Sequence, residues 1–250
     1  MNRPPRFALH HPIANGIAIV DAAELHHLRD VMRLRIGDSV ALLTNENSEL
    51  LARIERFEND RAILRVEKTA PAREVTPLIL ATAIIKGSRM DFVVEKAAEL
   101  GVTELWPMLC ERGVATNPGA ERIARWRRLA TAAAKQSLAP AALMLHEPTP
   151  LADLIETLAR DTLAGRESLK LICKQGAEPI ASVMRRMRPR AVVIACGPEG
   201  DFTDAEQELV TRAGFVSVGL GGNRLRSETA AIAAVSIASA LLDEIGEGDE

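Results

Sequence analysis

The stretch Ala191-Val-Val-Ile-Ala-Cys-Gly-Pro-Glu-Gly-Asp-Phe-Thr-Asp-Ala-Glu206 decides the fold. Its first six residues are an unbroken apolar run of strand length, the pattern of a strand buried on both faces. Gly197-Pro198 breaks the run. Thr203, with Glu206 three places on, forms a capping box that opens a helix over 204–213. Strand, loop and helix in that order is the building unit of a parallel α/β sheet. Ligands of such sheets bind beyond the carboxyl ends of the strands, so the loop at 197–202 is a candidate site.

The same unit recurs on either side. Downstream, Phe215–Gly219 reads as a strand, Leu220-Gly-Gly-Asn-Arg-Leu-Arg-Ser-Glu-Thr229 as a loop, and Glu228–Ile245 as an alanine-rich helix. Upstream, the strand Leu169–Cys173 runs into the loop Cys173-Lys-Gln-Gly176 and the helix Glu178–Met187. Earlier still, Leu78–Ile84 is a buried-type strand. Ser88–Leu100 has Met90, Val93, Val94, Ala97 and Leu100 on one helical face, with Gly101 as its stop. Thr103–Met108 reads as a strand, Ala120–Leu138 as a long helix with the stripe Ile123, Trp126, Ala130 and Ala133, and Leu151–Leu163 as a further helix. This alternation predicts a parallel sheet covered on both faces, with three loops meeting at one edge.

The first 70 residues follow a different pattern. Asp21 and Glu24 open a short helix through Met32. Ser39–Leu43, Leu50–Phe57 and Arg61–Lys68 read as strands, the last two split by the turn Glu58-Asn-Asp60. A small barrel or sheet is the natural packing. Pro71 and Pro77 fall in a stretch without periodicity, which places a domain boundary at 69–77. The expected domains are therefore 1–70 and 76–250.

Composition narrows the functional class. The chain has 250 residues, 47% of them apolar and 26% charged, with a net charge of −3. No run approaches the roughly 18 consecutive apolar residues of a membrane span, and Met1–Arg6 carries no apolar signal core. The expectation is a cytoplasmic protein with no membrane partner. Residues 1–73 hold 11 Lys and Arg against 10 Asp and Glu, and the remainder 20 against 24. A slightly basic first domain on a slightly acidic second one is compatible with RNA contact. Cys110, Cys173 and Cys196 lie far apart and form no CxxC pair, so they read as buried small hydrophobes rather than as a disulfide framework or zinc site. The dinucleotide fingerprint GxGxxG, the P-loop, the GxSxG elbow and HExxH are all absent. A nucleotide-phosphate or nicotinamide enzyme is disfavoured, and no metal is expected.

Several motifs in register carry a resemblance. They are His26-His-Leu-Arg-Asp-Val-Met-Arg-Leu-Arg-Ile-Gly-Asp38, Lys86-Gly-Ser-Arg-Met-Asp91, Glu95-Lys-Ala-Ala-Glu-Leu-Gly-Val102, the Ala132–Ser137 segment with Gln136, Cys196–Glu206, Gly214-Phe215 and Leu220–Ala231. In this order they resemble the RsmE family, SPOUT-class methyltransferases that act on N3 of a uridine in 16S ribosomal RNA. The resemblance covers nearly the whole chain. Asp201 stands where the family has the second Gly of GPEGG, and Gly222-Asn223 stand where it has Pro-Arg.

The resemblance implies a PUA-like RNA-binding domain followed by a SPOUT domain with a C-terminal trefoil knot between about residues 170 and 245. It implies a homodimer, S-adenosylmethionine as methyl donor, and uridine 1498 in the decoding region of the small ribosomal subunit as target. Donor contacts then fall on Cys173, Gly197, Glu199, Gly200, Leu220, Gly221, Leu225, Ser227 and Thr229. Arg226 is the candidate for stabilising the uracil anion, because its guanidinium is a fixed positive charge with forked donors. Glu228 or Glu199 is the candidate general base, against roles as a helix cap and a loop-ordering carboxylate. Arg6, Arg33, Arg35, Lys86 and Arg89 are the cations expected to meet RNA phosphates. With no Tyr and few aromatics, base stacking must be sparse, which suits a folded ribosomal surface better than a single strand. The competing readings are a SPOUT methyltransferase with another RNA target, such as a tRNA ribose, and a catalytically inactive ribosome-assembly factor.

Overall fold

The computed structural model describes residues 4–9, 11–43, 49–70, 76–113, 118–137, 139, 143–160 and 168–247. It divides into two units, Met1–Val75 and Thr76–Glu250.

The first unit contains β1 (Arg6–Ala8), β2 (Ile17–Val20), α1 (Ala22–His26), β3 (Ser39–Leu43), β4 (Glu49–Phe57) and β5 (Ala62–Ala70). They form one sheet in the order β1-β3-β4-β5-β2, antiparallel except for the β1–β3 pair. One apolar set, including Phe7, Val20, Leu28, Leu42, Ile54 and Leu64, fills its core. The helix expected through Met32 stops being α-helical at His26 and continues as a π-helical turn over His27–Val31. Val31 at the end of that turn is exposed, as are Met32, Arg33, Arg35 and Ile36 beyond it.

The second unit contains β6 (Leu78–Ala83), α2 (Ser88–Glu99), β7 (Glu104–Leu109), α3 (Ala120–Ser137), β8 (Met144–Leu145), β9 (Thr149–Pro150), α4 (Leu151–Arg160), β10 (Leu169–Cys173), α5 (Ile180–Met187), β11 (Val192–Cys196), α6 (Asp204–Arg212), β12 (Val216–Val218) and α7 (Ser227–Glu247). The predicted ends Leu138 and Leu163 lie outside the described residues. The strands form a parallel sheet in the order β12-β10-β11-β6-β7-β8, with β9 also pairing to β7. Strands β6 and β11 are buried along their whole length. Their alternate residues feed two cores, as the period of a strand requires. Leu78, Leu80, Val192 and Ile194 pack with α2, α3, α5 and α7, whereas Ile79, Ala81, Val193 and Ala195 pack with α4 and α6.

The KGxRMD motif shows why α2 sits where it does. Gly87 has a φ of 73° and starts the helix from a conformation that side chains resist. Met90 is fully buried, and Asp91 accepts hydrogen bonds from the Trp126 indole (2.8 Å) and the Arg125 guanidinium (3.0 Å) on α3. Over Ser227–Gly246, α7 has a mean hydropathy of 1.5, long and apolar enough to cross a membrane. Here its inner stripe of Ala231, Ala234, Val235 and Ala238 is buried in the core over β6 and β11. Small side chains let the helix approach the sheet closely. Ala234→Leu should therefore overpack this contact and lower stability by about 1–3 kcal/mol. Chemical denaturation checks this; an unchanged midpoint would mean the α7–sheet contact has slack.

Candidate active site

Three loops leave the carboxyl ends of β10, β11 and β12 and meet at the start of α7. They surround a cavity of about 540 Å³, a size that suits a small molecule or cofactor. Of the residues expected at a ligand, Cys173, Gly197, Glu199, Leu220, Gly221, Leu225, Ser227 and Arg226 line it. Gly200, Thr229 and Glu228 do not. Lys174, Gln175, Cys196, Pro198, Asp201, Asn223, Arg224 and Ala230 line it too, as does Arg89, which reads from the sequence as an RNA-phosphate cation.

The loop after β11 is ordered by its own contacts. A Cβ at Gly197 would lie 2.9 Å from the Phe202 ring, whose burial anchors the loop in the core below α6. Gly200 plays a different part from the one expected. A Cβ there would meet the Arg112 side chain at 3.3 Å rather than anything in the cavity, so this glycine makes room for the segment after β7. Asp201 has a φ of 62°, the left-handed conformation that favours glycine and that Asp tolerates better than most residues. Its Oδ1 accepts the Phe202 backbone N–H at 2.8 Å. That explains how Asp serves where the resembling family has Gly. The predicted capping box is present. Thr203 Oγ1 accepts from the Glu206 amide at 3.3 Å, and Glu206 Oε2 from the Thr203 amide at 2.8 Å. Glu206 Oε1 also accepts the Glu111 amide, tying this loop to the end of β7.

Arg89, from the second residue of α2, pairs with Glu199 and lies 3.6 Å from Glu228 Oε2. One guanidinium thus holds the loop after β11 and the first turn of α7. Glu228 is buried, and its Oε2 receives no hydrogen bond among the described residues. Glu228 also stands in the first turn of α7, where a carboxylate favours the helix dipole. Sequence reasoning missed this cluster because its three members are distant along the chain.

Arg226 sits one residue before α7. Its carbonyl accepts the Ala230 amide at 2.8 Å, which fixes the backbone, while its side chain is exposed. Among the described residues no ion pair engages Arg226 or the neighbouring Arg224. The cavity lining therefore includes two guanidinium groups without an ion pair among the described residues, together with the carboxylates Glu199 and Asp201. Lys86 is exposed between β6 and α2, and Arg6 is half-buried in the first unit.

The comparisons agree with this geometry. The family model of an RNA methyltransferase domain matches residues 72–239, and that of an RNA methyltransferase PUA domain residues 20–67. Ribosomal RNA small subunit methyltransferase E of Synechocystis is 31% identical, covering 92% of this chain and 75% of its own length. Its namesake in Bacillus subtilis is 28% identical, covering 92% of each. The crystal structure of ribosomal RNA small subunit methyltransferase E from Neisseria gonorrhoeae, bound to S-adenosyl methionine, is similar with a TM-score of 0.77. It is 28% identical and covers 96% of this chain and 98% of that one. A Legionella pneumophila protein in complex with the same cofactor has a TM-score of 0.73 at 28% identity, covering 96% and 98%.

The φ of Asp201 generates a prediction. Asp201→Val should cost about 1–2 kcal/mol, because a β-branched residue resists the left-handed region. Asp201→Gly should be close to neutral, trading a side-chain hydrogen bond for release of strain. Thermal unfolding of the two variants is the check, and equal losses would refute a conformational role.

Proposed function

The chain belongs to the ribosomal RNA small subunit methyltransferase E family of RNA methyltransferases, and from that premise we propose that it transfers a methyl group from S-adenosylmethionine to N3 of uridine 1498 in 16S rRNA. The observation that carries this reading is the cavity at the three strand ends with Arg226 exposed at its edge. The residues present fit the donor. The cavity has cofactor size, and the carboxylates Glu199 and Asp201 in its lining suit the donor's sulfonium and ammonium charges.

When bound, the donor supplies an electrophilic methyl carbon, so the protein's task is alignment and control of one proton. Uridine N3 is protonated at neutral pH and a poor nucleophile. Arg226 stabilises the negative charge that develops over the uracil oxygens as that proton leaves. Glu199 lines the cavity whereas Glu228 does not, so Glu199 is the proton acceptor of the two. Arg89 lies against both carboxylates and so positions them at the site.

RNA is met first by exposed cations. Arg33 and Arg35 stand among the exposed Val31, Met32 and Ile36 in the first unit, a basic and apolar strip suited to a folded RNA surface. Lys86 adds a cation in the second unit and Arg6 a further contact in the first. The first unit serves as the PUA-like RNA-binding domain and the second as the SPOUT catalytic domain. The C-terminal knot between about residues 170 and 245 is the reading that the family resemblance carries. The remaining surface of α7, with half-buried Ala233 and exposed Ala240, suits a homodimer. The protein works in the cytoplasm on the small ribosomal subunit, as part of ribosome biogenesis.

Mass-spectrometric mapping of rRNA from cells with and without this protein tests the target. A methyl group missing from any other nucleotide would select another RNA target. Calorimetry with S-adenosylmethionine separates an enzyme from an inactive assembly factor. Arg226→Ala should keep donor affinity within a few fold and lower methyl transfer by ~100-fold or more. Arg226→Lys should also be poor, for want of the planar fork. Single-turnover transfer to small subunits lacking the modification is the assay; near-normal transfer by the alanine variant would remove Arg226 from the mechanism.

A further inference from the structure

Cys173 and Cys196 end the neighbouring strands β10 and β11, one residue beyond the paired Ile172 and Ala195. Their sulfurs are 3.5 Å apart, and both residues line the cavity. Neighbouring strands lie about 4.7–4.9 Å apart, and disulfides span Cα separations of roughly 4.4–6.8 Å. The backbone is therefore already within range of a covalent bond between them. Cys173 is half-buried and Cys196 is buried. Cys110, the third free thiol, is not in the cavity lining; burial, with the Glu206 charge, pushes it up to about 12 and makes it unreactive.

We propose that Cys173 and Cys196 form a reversible disulfide that closes the cavity to its ligand. The inference rests on the reading of this cavity as the donor site. The oxidant is a peroxide. The Cys173 thiolate attacks a peroxide oxygen, giving a sulfenic acid on Cys173 and, from hydrogen peroxide, one water. The Cys196 sulfur then attacks the sulfenic sulfur, losing its proton as the hydroxyl leaves as a second water. Two electrons pass from the thiol pair to the peroxide, so the balance is two thiols and one peroxide to one disulfide and two waters. The order follows from exposure. Cys173 is the more exposed of the two residues, whereas the hydrogen bond to Cys173 and burial hold Cys196 in its thiol form until it acts as the resolving partner.

Bond formation brings the sulfurs from 3.5 Å to about 2.05 Å. The displacement occurs at the roots of the loops Lys174-Gln175 and Gly197–Glu199, both of which line the cavity. A close-packed site is sensitive to movement on this scale. Binding and oxidation must then oppose each other reciprocally: a ligand that shields Cys173 slows the oxidation that would exclude it.

The experiment treats the whole protein with hydrogen peroxide and reads non-reducing peptide maps by mass spectrometry, beside calorimetry with S-adenosylmethionine on reduced and oxidised samples. A peptide linked through Cys173 and Cys196, reversed by dithiothreitol and formed more slowly with S-adenosylmethionine present, supports the proposal. So does a loss of donor affinity of at least about tenfold on oxidation. Cys196→Ala should lose both the linked peptide and the oxidant's effect, judged against its own reduced form. Cys110→Ser should keep both. Oxidation that leaves sulfinic acid on Cys173 with no linked peptide overturns the proposal, as does equal donor affinity of the linked and reduced forms. Reduced protein that binds no donor sinks the donor-site reading and with it the gating, while the mass of the linked peptide reports disulfide formation independently.

Discussion

The complete burial of β6 and β11 is the constraint from which the rest of the second unit follows. A strand with both faces out of water can satisfy its amides only through neighbouring strands, and its side chains only through a layer on each side. Parallel pairing then requires every connection to cross the sheet, so each strand hands the chain over at the same edge. The loops after β10, β11 and β12 converge there because these three strands are parallel neighbours in the sheet. The cavity is a consequence of the sheet and not an addition to it.

Within that cavity the distribution of charge decides the chemistry. Arg89 spends its guanidinium on Glu199 and Glu228, bridging two loops that the sheet merely brings near. Arg226 has no such engagement among the described residues, and its backbone is held by the first turn of α7. A fixed base with an uncommitted head suits a group that must meet charge appearing only during reaction. The same logic separates the two carboxylates, one lining the cavity and one buried beside it.

The loop chemistry also shows how a substitution in a glycine-rich motif is absorbed. At Gly197 and Gly219 the limit is space, set by the Phe202 ring and the Ala177 carbonyl. At position 201 the limit is the backbone angle, and Asp meets it by bonding to the next amide. A glycine in a motif can therefore stand for two different physical demands, of which only the second admits another residue.

The alternation of strand and helix in the second unit was legible in the sequence alone, whereas the short strands β1, β2, β8 and β9 were not. Apolar runs of strand length, the 3.6-residue stripes of α2 and α3, and the Thr203–Glu206 capping box depend on residues a few positions apart, and local chemistry determines them. The three site loops were legible for the same reason, because each follows a strand of the parallel sheet. What the tertiary structure decided lies between residues remote in the chain. It brought Arg89 against the carboxylates of Glu199 and Glu228, placed Gly200 against Arg112 and not in the cavity lining, and brought the Cys173 sulfur within 3.5 Å of that of Cys196. No periodicity encodes these meetings. They arise because pairing β10 with β11 and docking α2 beside α7 fix distances that sequence separation does not contain.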